Sequence, residues 1–257
     1  MSRTALLLIL LLALPARAAP PDLSDIRYDQ RPGAQVPMQA AFRAADGSAT
    51  TLGAAMDGRP TVLDLGYFHC TTLCGVVRAD VLSALAESGL RIGRDYTLVA
   101  LSIDPAETPH DASKALAQER ARYALQGAPE GWRYLTGAQA AIGEVARAVG
   151  FHARFDAASK QFYHPAGIVV LTPSGSVSSY VLGVGYRAGD VRAALLRARG
   201  GGIAKAALPI LLLCFHFDPT TGRYTLAIWR LIQLAGGLTI LVVGGTILLA
   251  LRRERAP

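Results

Sequence analysis

Three cysteines in 257 residues cannot staple a small secreted domain together, so this chain must rely on a hydrophobic core. Acidic residues are also sparse: 19 against 26 lysines and arginines leave a net charge of +7. Such a balance raises nucleic acid as a partner. The arginines, however, are scattered and form no patch with interleaved aromatics, which argues against nucleic-acid binding. The chain shows no internal repeat and no low-complexity tract, so it is not a repeat array. Its middle has no apolar run of membrane-spanning length. What it has in excess is hydrophobicity, 51% of residues with a mean hydropathy of +0.30, and that excess is concentrated at the two ends.

The first end is short. Arg3 precedes an apolar run from Ala5 to Leu14, followed by Pro15 and Ala16-Arg17-Ala18. Ten helical residues reach roughly 15 Å, about half a bilayer core. With a small-x-small site behind it, residues 1–18 read as a signal peptide cut after Ala18, and the mature protein as exported. The other end is longer. Leu231 to Leu251 carries no charge and would make about 32 Å of helix against a hydrocarbon core of roughly 30 Å. Tyr224 and Trp229 stand before it as interfacial aromatics, and Arg252, Arg253 and Arg255 follow. The positive-inside rule puts residues 252–257 in the cytoplasm, which agrees with an exported N-terminus. The expectation is a bacterial inner-membrane protein, held by one C-terminal transmembrane helix at 231–251, with its folded domain facing the periplasm.

Between the ends the pattern is that of an α/β domain. Residues 19–37, rich in Pro, Asp, Gln and Arg, read as an extended lead-in. Met38 to Phe42 is a short strand candidate, and Asp46-Gly47 a hairpin turn into Thr50-Thr51-Leu52. Val62 to Phe68 is a buried strand, and Val76, Val77, Val81, Leu82 and Leu85 recur at helical spacing up to Gly89. Tyr96 to Ile103 is a second buried strand. Thr108-Pro109, with Asp111 in the first turn, opens a helix to about Tyr123. A strand at Trp132–Leu135, a helix ending at Gly150, a hairpin of Gly167–Leu171 with Val177–Leu182, and a helix from Arg187 to Ala198 complete the domain, 38–200. Strands alternating with helices and ending in a hairpin imply a mixed sheet flanked by helices. Residues 201–230 link this domain to the membrane segment.

The chemistry is concentrated where the first buried strand stops, in Gly66-Tyr-Phe-His-Cys-Thr-Thr-Leu-Cys74. Cys70 falls at the turn and Cys74 in the first helical turn, where positions i and i+4 share a face. Unpaired backbone N–H groups and the positive end of the helix dipole stabilise thiolates there. Three readings stand. A structural disulfide would close a very small loop and constrain the unfolded chain little. A thioredoxin-like redox pair normally has two residues between its cysteines, not three. Copper is the third: thiolates suit Cu(I), and one added imidazole makes a site that also holds Cu(II). The copper reading requires a histidine brought in by the sheet. His164, in Phe162-Tyr163-His164-Pro165 ahead of the Gly167 strand, is in the right place for a thioredoxin-like topology.

The Gly-Tyr-Phe-His-Cys-x-x-x-Cys run, the segment Ser102-Ile-Asp-Pro-x-Glu-Thr-Pro109, and a histidine before a Val-Val-Leu-Thr-Pro strand jointly resemble the Sco/SenC family. Its members are thioredoxin-fold copper chaperones for the CuA centre of cytochrome c oxidase. The likeness covers roughly Val36 to Leu196. It implies copper held by Cys70, Cys74 and His164, and a cytochrome c oxidase subunit carrying the CuA site as partner. His69 matches a position that is not a ligand and is expected to face away or pack in the turn. Asp104 is expected to cap its turn, and His110 and His152 to be surface residues.

The departures are specific. Thr71, Thr72 and Gly75 stand where the family usually has Pro, Asp and Pro, which removes a negative charge near the thiolates. The family's usual single N-terminal anchor is replaced by a signal peptide and a C-terminal helix. Cys214-Phe-His216 could form a second copper station, or a membrane-surface segment in which an extended chain puts both residues on one face. The rival function is a thiol–disulfide oxidoreductase that keeps an oxidase subunit's copper-site cysteines reduced and has no use for His164. A peroxiredoxin-like peroxidase would need Pro and Thr or Ser where Leu63 and Tyr67 stand, which argues against it.

Overall fold

A computed structural model describes residues 23–69, 73–157, 159–206, 216–218 and 223–225, together with the single helical positions 236, 239 and 243. In chain order the elements are β1 (Arg27–Tyr28), β2 (Ala41–Ala44), β3 (Ala49–Thr51), α1 (Leu52–Met56), β4 (Thr61–Gly66) and α2 (Leu73–Glu87). There follow β5 (Thr97–Ser102), α3 (Pro109–Arg122), β6 (Trp132–Thr136), α4 (Gln139–Ala148), β7 (Phe151–His152), β8 (Arg154–Asp156) and β9 (Gln161–Tyr163). β10 (Gly167–Leu171), β11 (Val177–Leu182), α5 (Ala188–Arg199), β12 (His216–Asp218) and β13 (Arg223–Thr225) end the series.

Seven strands form one mixed sheet in the order β11-β10-β4-β5-β6-β2-β3. The centre, β4-β5-β6, is parallel, and β10 runs antiparallel to β4. Every residue of β4, β5 and β10 is buried. Their runs of Val, Leu and Ile are therefore continuous rather than alternating, as expected of strands covered on both faces. One face packs Leu63, Leu65, Val99 and Leu101 with α4; the other packs Val62, Leu98 and Ala100 with α2 and α5. This is the expected mixed sheet flanked by helices.

Helix α3 shows how sequence sets a boundary. Thr108 accepts from the Asp111 N–H while the Asp111 carboxylate accepts from the Thr108 N–H, a reciprocal cap with Pro109 in the first turn. The Thr108 hydroxyl and amide hold the Asp111 carboxyl below the usual carboxylate range.

Several elements differ from the sequence reading. The strand expected at Met38–Phe42 begins at Ala41, because the chain makes a turn at Pro37–Ala40. In α2, Val77, Val81, Leu82 and Leu85 are buried, but Val76 points to solvent and Arg78 points inward. Helix α1 and the hairpin β8–β9 (Arg154↔Tyr163, Phe155↔Phe162) are additional. Residues 23–37 are irregular but packed: Tyr28 and Val36 are buried, and β1 pairs with β7. Among the described residues no helix is long and apolar enough to cross a membrane. The expected signal peptide and, apart from three positions, the expected span 231–251 lie outside them.

Gly150 is where this leading segment crosses the end of α4. Its φ is +63°, its carbonyl accepts from the Asp29 N–H at 2.7 Å, and a Cβ there would stand 1.9 Å from the Asp29 carbonyl oxygen. Gly150→Ala should therefore add a left-handed backbone penalty of about 1–2 kcal/mol. Losing the Asp29 contact adds about 1 kcal/mol. A fall of about 2–3 kcal/mol in urea-unfolding stability is expected; an unchanged midpoint would refute this account of the crossing.

Candidate metal centre

The parallel strands β4, β5 and β6 deliver their C-terminal ends to one side of the sheet, and the cysteine turn leaves β4 there. Tyr67, Phe68 and His69 follow Gly66, and α2 opens at Leu73. Cys70 lies outside the described residues, and Cys74 is described only as a helical position in the first turn of α2. The antiparallel register Ile168↔Asp64 sets the start of β10 beside the end of β4. His164, three residues before β10, consequently arrives at the turn that leads to Cys70.

His164 is half-buried. Its ring meets Tyr67 edge-on at 6.2 Å between centroids and Phe151 at 6.0 Å. Its Nδ1 lies 3.1 Å from the Pro165 carbonyl oxygen. A carbonyl only accepts, so this contact puts the proton on Nδ1 and the lone pair of the neutral ring on Nε2. The hairpin β8–β9 delivers this histidine: Phe162 packs on Tyr67 at 5.7 Å, and Phe155 packs on Phe162 at 5.0 Å. The structure thus brings His164 against Tyr67, three residues before Cys70. Among the described residues no three His, Cys, Asp or Glu side chains converge as a metal cluster.

The turn itself is held by a residue whose role sequence reasoning missed, Glu107. Its side chain is 1% exposed. The Phe68 N–H donates to Oε1 and Oε2 at 2.7 and 2.8 Å, and the His69 N–H donates to Oε1 at 2.6 Å. The Ser102 hydroxyl donates to Oε2 at 2.6 Å. One carboxylate therefore satisfies the backbone of the two residues before Cys70, in the short charge-assisted class of hydrogen bond. A sequence signal was present: Glu107 sits inside Ser102–Pro109, one of the motifs that carried the resemblance. Asp104 closes the loop by accepting from the Ala106 N–H at 2.8 Å, the capping role expected of it.

His69 turns outward from the strand axis. Its Nδ1 is 3.1 Å from Glu107 Oε1 and its Nε2 3.2 Å from Asp111 Oδ1, so both nitrogens face carboxylates. His110 is exposed in the first turn of α3, as expected, and His152 is half-buried with a partner, its Nε2 2.8 Å from Asp29 Oδ2. His216 begins β12, which pairs with β13 through His216↔Thr225. Cys214 lies outside the described residues.

Beneath the turn lies a second unexpected group. Arg78 Nε donates to Asp64 Oδ2 at 2.8 Å, and Nη1 lies 3.5 Å from Glu119 Oε1. The Tyr134 hydroxyl donates to the same Glu119 carboxylate. Burial works against the Arg78 charge, but Asp64, Tyr134 and Glu119 together outweigh it and hold the guanidinium protonated. Burial pushes the Glu119 carboxyl up, partly offset by Arg78.

The SCO1/SenC family model matches residues 30–195. The chain belongs to the SCO1/SenC family. No curated protein matches it in sequence. Among solved structures, a protein of Aquifex aeolicus VF5 superposes with a TM-score of 0.58 at 24% identity, covering 65% of this chain and 94% of its own. Copper-bound ScoI of Arabidopsis thaliana gives 0.52 at 17%, covering 66% and 98%. BsSco, a Sco-family cytochrome c oxidase assembly protein with a disulfide switch, gives 0.51 at 20%, covering 66% and 96%. These identities establish the thioredoxin-like Sco fold and nothing finer.

Proposed function

We propose that this protein is a copper chaperone which holds one copper ion through Cys70, Cys74 and His164 and delivers it to the CuA site of cytochrome c oxidase during assembly. The observation that carries the reading is the arrival of the His164 imidazole against Tyr67, three residues before Cys70. Two thiolates and one imidazole accommodate Cu(I) and Cu(II) alike. Copper here is cargo, and a three-ligand site near the surface releases it more readily than a closed four-ligand cage. Family membership supports copper and oxidase assembly as the setting. The sequence supports the remainder: export by residues 1–18 and an inner-membrane anchor at 231–251, with the domain on the periplasmic side.

A second reading remains attached to the same cysteines. BsSco, with its disulfide switch, is a relative in fold, and a helix-start dithiol is suited to exchange. In that reading the protein is a membrane-anchored thiol–disulfide oxidoreductase acting on the oxidase's copper-site cysteines.

Metal analysis of the protein purified under reducing conditions tests the proposal. One equivalent of copper per chain is expected. Zinc alone, or no metal, would favour the redox reading.

A further inference from the structure

A buried guanidinium lies between the two segments that carry the cysteines. The strand register aligns Asp64, Ala100 and Tyr134 across β4, β5 and β6. Ala100, the middle member, offers only a methyl group, which leaves room above the sheet for a large side chain from α2. Arg78 fills it and reaches Asp64 on one side and Tyr134 and Glu119 on the other. Phe68 lies parallel to Tyr134, centroids 5.5 Å apart and planes 10° apart, and Arg78 Cζ is 5.2 Å from the Phe68 ring centre. Phe68 is two residues before Cys70, and Arg78 is one helical turn after Cys74. The ion cluster therefore ties the turn to the helix.

Stability alone is a poor reason for such a group. Desolvating a guanidinium and two carboxyls costs about as much as their attraction returns, and well-packed apolar residues often serve better. The distinctive property of arginine is a planar fork that bonds and stacks in one orientation, which lysine cannot reproduce.

We infer that Arg78 is a positioning residue for the Cys70–Cys74 pair, clamping the Phe68 ring against Tyr134 and so tying the chain that leads to Cys70 to the helix that carries Cys74. This rests on the proposed cooperation of the two cysteines but not on copper. Held close, two thiols form a disulfide at a high effective concentration. Loosening the clamp lowers it.

The test uses the full-length, metal-free chain equilibrated in glutathione buffers. There the protein dithiol and oxidised glutathione exchange with the protein disulfide and two reduced glutathiones. Peptide mass spectrometry scores Cys70 and Cys74 apart from Cys214. Removing Arg78 alone would strand the Asp64 carboxylate and threaten the fold, so the variants are the charge-neutral double replacement Asp64→Asn with Arg78→Met, and the conservative Arg78→Lys. The double variant should keep a melting temperature near wild type and shift the equilibrium about tenfold toward the dithiol. Arg78→Lys should shift it in the same direction by about threefold. An equilibrium within twofold of wild type in either variant would overturn the inference. A wild-type chain that binds no copper would overturn the proposed function and leave this readout intact, because no metal enters it.

Discussion

Replacing His164 with alanine should weaken copper binding by at least about 100-fold, since changes that merely touch a ligand's neighbours cost 10–100-fold and this change removes a proposed ligand itself. The loss should be greater for Cu(II), for which imidazole nitrogen is the better donor, than for Cu(I), which two thiolates serve alone. The fold should survive. His164 is half-buried, with ring contacts to Tyr67 and Phe151, so truncation should cost only about 1 kcal/mol in urea unfolding. The same variant separates the two functional readings. Disulfide exchange at Cys70 and Cys74 needs no imidazole and should persist. A His164→Ala protein that binds copper as tightly as wild type would remove the chaperone mechanism and leave the oxidoreductase.

The residues explain why some of this was legible in the sequence. β4, β5 and β10 are covered on both faces, so apart from Asp64 they appear as short continuous apolar runs, and their length and flanking turn residues mark them as strands. The Thr108-Pro109 cap is equally local, since all its partners lie within three residues. Contacts between distant parts of the chain leave no such mark. Asp64 sits inside an apolar run and Arg78 inside a helix rich in valine, and each makes sense only through the other, 14 residues away. Periodicity assigned Val76 to the core and passed over Arg78; the ion pair reverses the two. The hairpin that supports His164 has strands of three residues, too short to alternate visibly. The position of His164 was nevertheless foreseeable, because a histidine just before an antiparallel neighbour of β4 arrives at the end of β4 whatever its side-chain contacts are.

Glu107 is the least legible of the important residues, because its backbone partners lie 38 and 39 positions earlier in the chain. Glu107→Ala should be among the most damaging single changes in the domain. It removes the acceptor for the Phe68 and His69 N–H groups and for the Ser102 hydroxyl. Each buried donor left unpaired costs about 1–3 kcal/mol, and water admitted beside the turn recovers part of the sum, so a loss of about 3–4 kcal/mol is expected in urea unfolding. Glu107→Gln should be milder, at about 1–2 kcal/mol. Its carbonyl oxygen can take the place of Oε1 and keep both backbone donors, while its amide faces Ser102, whose hydroxyl can accept as well as donate. The ordering matters more than either figure. If the carboxylate chiefly supplied charge near the metal, the glutamine variant would lose copper as completely as alanine. A shape-and-acceptor role predicts that glutamine keeps most of the binding, because the backbone that leads to Cys70 still has its anchor. Equal copper loss in the two variants, with equal stability, would refute that role.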